Sequence, residues 1–64
     1  MHVLDVMLEA ACLVQVGYAN RKLSNEDEAA SNFATARRLY NEALRQTNNP
    51  TLIQGIDKGL SLIP

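Results

Sequence analysis

Between Glu26 and Thr47 the apolar positions recur at steps of four, three, four, three and four. They select Ala29, Phe33, Ala36, Tyr40, Ala43 and Thr47. Residues at those steps share one face of an α-helix, so the stretch predicts a single helix ending near Gln46 or Thr47. Its stripe alternates small residues with rings. The alanines admit a neighbouring backbone, and Phe33 and Tyr40 fill the space between. The outward face carries Arg37, Arg38, Asn41, Glu42 and Arg45. Arg38 and Glu42, four apart, are spaced for an ion pair worth a few tenths of a kcal/mol. Leu39 and Leu44 lie off the stripe, toward a third segment.

The segment His2–Leu23 has a different pattern. Leu4, Leu8, Ala11 and Tyr18 form one stripe, and Val3, Met7, Ala10, Val14 and Gly17 form a second beside it. Val6 and Leu13 widen the apolar surface further. A helix on the surface of a small bundle shows one apolar stripe. This helix has more apolar surface than an intramolecular hairpin covers, which predicts association. The expected partner-binding residues are Val3, Val6, Met7, Ala10, Leu13 and Val14. The expected partner is a second copy or a helix of another protein.

Local signals place the boundaries. Arg21 and Lys22 suit the negative end of the first helix, and Glu26, Asp27 and Glu28 suit the positive end of the second. Ser24 or Asn25 is placed to cap the second helix, and Asn25 with Glu28 approaches a capping box. Asn49 is a good N-cap, and Pro50 fits the first helical position because no amide donor is missed there. A last helix follows over Thr51–Leu62, with Leu52, Ile53, Ile56, Leu60 and Ile63 on its apolar side. Gly55 and Gly59 within it weaken the helix or allow close packing. The fold expected is all-α, an antiparallel helical hairpin plus a short third helix (a three-helix bundle), oligomeric, with residues 1–64 as one small domain.

Composition narrows the sources of stability. A chain of 64 residues has about 3–10 kcal/mol of folding free energy to draw on, and domains this short often lean on cross-links or self-association. Cys12 is the only cysteine, so no disulfide forms within the chain and no zinc site is built on cysteine pairs. A lone cysteine among apolar residues predicts a buried structural thiol and a cytoplasmic setting. The net charge of −1 supplies no global field for nucleic acid. The longest uncharged run, Ala10–Asn20, is short of the roughly 20 residues that cross a bilayer. Asp5 and Glu9 interrupt the first helix, and no basic start precedes it. No membrane association is expected.

Catalytic chemistry has little to stand on. His2, Asp5 and Glu9 have spacings that permit a metal on one helix face, but the same residues make an ordinary solvated stripe. No glycine-rich phosphate loop or metalloprotease motif is present, and no carboxylate pair suggests glycoside hydrolysis. The sequence predicts neither an enzyme nor a cofactor site. Arg37, Arg38 and Arg45, with Arg21 and Lys22, offer a basic patch for phosphate; interspersed Glu42 and asparagines favour a solvated face instead. Tyr18 and Tyr40 are expected as core rings with their hydroxyls at the edge.

Two short resemblances bear on function. Ala36, Tyr40 and Ala43, followed by Pro50, resemble the second helix of a tetratricopeptide repeat. The proline falls about two residues late, and the first-helix pattern of that family is missing upstream, so the likeness is one of helix packing. Pro50-Thr51-Leu52, with Ile56, Gly59 and Leu60, is similar to the end of phage-repressor-like helix-turn-helix domains, and Leu23–Ala30 looks like the start of their second helix. The short turn between their helices has no counterpart within Ala29–Ala43. The reading that results is a non-catalytic protein–protein interaction module acting through apolar helix faces. A small helix-turn-helix-like DNA-binding regulator is the alternative.

Overall fold

The computed structural model describes residues 2–64 and consists of three helices: α1 over Val3–Lys22, α2 over Glu26–Arg45 and α3 over Pro50–Ser61. No strand occurs among the described residues. α1 and α2, of 20 residues each and joined by only three, lie side by side as an antiparallel hairpin. α3 packs mainly on α2 and touches α1 at its edge. The result is an elongated slab with Cα extents of 38 × 20 × 13 Å.

The seam read from α2 is the core. Ala29, Phe33, Ala36, Tyr40 and Ala43 are all buried, and they meet Val6, Ala10 and Val14 of α1 and Ile56 of α3. Alanine at 36 and 43 and at position 10 opposite, each with no exposed surface, brings the helix axes close. The rings then use glycine as their counterpart. Phe33 lies against Gly17 of α1, and Tyr40 lies against Gly59 of α3. The edge of Tyr18 meets Phe33, with ring centroids 5.1 Å apart and planes at 72°, a geometry the ring quadrupoles favour.

Polar bonds hold the ends in place. The Tyr18 hydroxyl donates to the Leu62 carbonyl at 2.5 Å, and Arg37 donates to the Pro64 carbonyl at 3.2 Å. Both tie the segment after α3 to the hairpin. Asn49 caps α3 as expected, its Oδ1 accepting from the Thr51 and Leu52 amides at 2.9 and 3.4 Å, with Pro50 in the first turn.

The α1–α2 connection differs from the expected capping box. α1 ends in a Schellman motif: the Asn25 amide donates to the Asn20 carbonyl and the Ser24 amide to the Arg21 carbonyl. Ser24 takes the left-handed position at φ 64°. Asn25 makes no side-chain cap bond. Its Nδ2 donates instead to Asn20 Oδ1 at 3.4 Å, and Asn20 Nδ2 donates to Asn32 Oδ1 at 2.7 Å. The asparagine side chain is used to tie the turn to both helices.

Candidate functional site

The six residues expected to bind a partner divide between two environments. Val6, Ala10 and Val14 are buried against α2, while Val3, Met7 and Leu13 are partly buried beside the same core. Val6, Ala10 and Val14 are used by the hairpin itself, while Val3, Met7 and Leu13 keep part of their surface open.

The surplus apolar surface of α1 lies on its opposite side. Leu4, Leu8, Ala11, Gln15 and Ala19 follow one another at steps of four, three, four and four, a single helix face, and every one is exposed. Leu8 is 65% exposed and Leu4 46%. Cys12 lies beside this stripe and is exposed as well, which corrects the expectation of a buried thiol: positions 10 and 14 face α2, and position 12 points away from them. Asp5 and Glu9 border the stripe in its first half, and Lys22 continues it at the far end. Val16, half exposed, flanks it. α1 is thus apolar almost all the way round, whereas α2 has one apolar face and one charged face. Helices apolar on every side are normally covered on every side.

α1 is also long and apolar enough, by length and composition alone, to cross a membrane. The interruption by Asp5 and Glu9 is too slight to remove it from that class, contrary to what its uncharged run suggests. Its inner stripe, however, is in the core of the hairpin.

The other candidate features carry less. Of the arginines, Arg37 donates to Pro64 and Arg45 pairs with Glu42. The Arg45 hydrogen bond first, then that of Gln46, holds the Glu42 carboxyl below its ordinary range. The expected Arg38–Glu42 pair is therefore replaced by Glu42–Arg45. A glutamate prefers its cation on the C-terminal side, where the helix dipole favours positive charge, and Arg38 stands on the other side. α2 is one unbroken helix, with no turn to set off a recognition helix. Arg21, Glu26, Ala29, Ala30, Phe33 and Pro64 line a hollow of about 150 Å³, with no histidine, cysteine or serine among them. Among the described residues no three His, Cys, Asp or Glu side chains gather as a metal site.

No known protein family, curated protein or solved structure matches this chain.

Proposed function

We propose that this protein is a non-catalytic, cytoplasmic interaction module whose docking surface is the outward face of α1. The observation that carries the reading is the exposed stripe Leu4–Leu8–Ala11–Gln15–Ala19 on a helix whose other side already supplies the core. Burying an exposed leucine is worth about 1.5–3 kcal/mol, so two leucines and the small residues after them give a partner helix a usable anchor. The small side chains at 11, 12 and 19 let another backbone approach closely, as the alanines of α2 do inside the hairpin.

Cys12 provides a built-in reporter of whether that face is covered. The test is the rate at which a maleimide labels Cys12 in extract from the cells that make the protein, against the rate for the purified chain at high dilution. The reading predicts slow labelling in extract, restored to the dilute rate by Leu8→Glu. Equal rates for the parent in both settings would contradict it.

A further inference from the structure

Resting on that docking face, we propose that its occupant is a second copy of this chain, with the two α1 helices antiparallel about a two-fold axis between Ala11 and Cys12. The argument is self-complementarity in size and in charge. The stripe is graded: its first half carries Leu4 and Leu8, and its second half Gln15, Ala19 and then Lys22. An antiparallel copy centred between positions 11 and 12 sets Leu4 opposite Ala19 and Leu8 opposite Gln15, with Ala11 opposite Cys12. Leu4 then meets the smaller Ala19, Leu8 lies along the stem of Gln15, and the smallest pair lies where the helices come nearest. A parallel copy stacks leucine on leucine at one end and alanine on alanine at the other, which wedges the helices apart.

Charge points the same way. The acids Asp5 and Glu9 border the first half, and the cations Arg21 and Lys22 close the last turn. Antiparallel pairing brings the acidic half of each helix to the basic end of the other, with Asp5 about one helical turn from Lys22 of the second copy. Parallel pairing instead gathers the acidic halves at one end and sets Lys22 beside Lys22 at the other, and like charges across an interface disfavour that arrangement. A membrane surface is the poorer fit, because the same two acids would border the inserted stripe. A helix of 20 residues spans about 30 Å. One stripe of that length makes an interface at the small end of the specific range.

The test is sedimentation equilibrium of the purified chain from micromolar to millimolar concentration, with and without neutral or anionic lipid vesicles. The expected result is a mass moving from one chain to two without lipid. Leu8→Glu, and independently Ala19→Glu, should raise the dissociation constant by about tenfold or more. Lys22→Glu should weaken pairing, and Asp5→Lys added to it should restore pairing, a rescue that parallel helices do not give. A one-chain mass throughout overturns self-pairing, as does a two-chain mass indifferent to these substitutions or a chain that stays single and binds vesicles. Slow Cys12 labelling in extract from a chain that is single when purified would then mean a different protein partner, so the docking reading and the self-pairing proposal fail separately.

Discussion

Gly17 of α1 lies directly under the ring of Phe33 of α2: a Cβ added at Gly17 would fall 2.7 Å from Cε1 and 2.9 Å from both Cδ1 and Cζ. The ring occupies the space that any other residue at position 17 needs. The same relation holds between Tyr40 and Gly59 of α3. The two rings of α2 therefore choose which side of each neighbouring helix faces inward.

Alanine at position 17 is expected to destabilise the fold despite its better helix propensity. The propensity gain is about 1 kcal/mol, and forcing a methyl group into a filled core costs about 1–3 kcal/mol, so Gly17→Ala should lose up to about 2 kcal/mol in a urea melt. Gly55 is the internal control. A Cβ there meets only the terminal methyl of Met7, at 3.3 Å, and that flexible side chain can move aside. Gly55→Ala should gain about 0.5–1 kcal/mol. A gain at both positions would mean that the Phe33 ring does not seat on α1 as described.

Truncating the ring is the larger perturbation. Phe33 is buried among Gly17, Tyr18 and the α2 seam. Phe33→Ala should cost about 3–5 kcal/mol, enough to unfold much of the population in a domain with about 3–10 kcal/mol in total. The check is the helical circular-dichroism signal at room temperature, and a variant that melts like the parent would count against the seam.

Ser24 occupies the left-handed position of the Schellman motif, where glycine carries no Cβ penalty. A non-glycine residue there is disfavoured by about 1–2 kcal/mol. Ser24→Gly should raise stability by about 1 kcal/mol, seen as a higher melting temperature. Ser24→Val, β-branched at positive φ, should lower it.

Burial raises the Tyr40 phenol above its ordinary value near 10. In the unfolded chain the same phenol ionises at the ordinary value, so at alkaline pH the folded state holds the proton longer. Stability should be unaffected by this group below pH 10 and fall as pH rises through the folded pKa. Denaturant melts across that range check the sign: Tyr40→Phe should flatten the alkaline decline. An unchanged decline in the variant would place its origin elsewhere.

The middle helix was legible because its sequence offers one apolar face only. Ala29, Phe33, Ala36, Tyr40 and Ala43 have no competing stripe, and all five are buried. Asn49 and Pro50 were legible for the same reason, each having one good use at a helix start. α1 offered two stripes of similar apolarity, and hydrophobic periodicity alone does not choose between them. Val6, Ala10 and Val14 belong to the core, and Cys12 faces outward. The Phe33 ring seats on Gly17, the one glycine of α1. A glycine inside a long helix, with a ring to be placed on the next, is the signal that could have oriented α1 from sequence. The asparagine relay through Asn20, Asn25 and Asn32 was not legible, because a capping preference is local and the competing partner, Asn32, lies on the other helix.

The central claim is that α1 has two apolar faces with different duties, one holding the fold and one left for docking. The most direct measurement is the thermal melt, followed by circular dichroism at a dilution where the chain is single, of Val14→Glu beside Leu8→Glu. The account predicts that Val14→Glu, which buries an unpaired carboxylate, abolishes the cooperative transition, while Leu8→Glu melts within about 0.5 kcal/mol of the parent. Equal losses at the two positions, or a greater loss at Leu8, would contradict it.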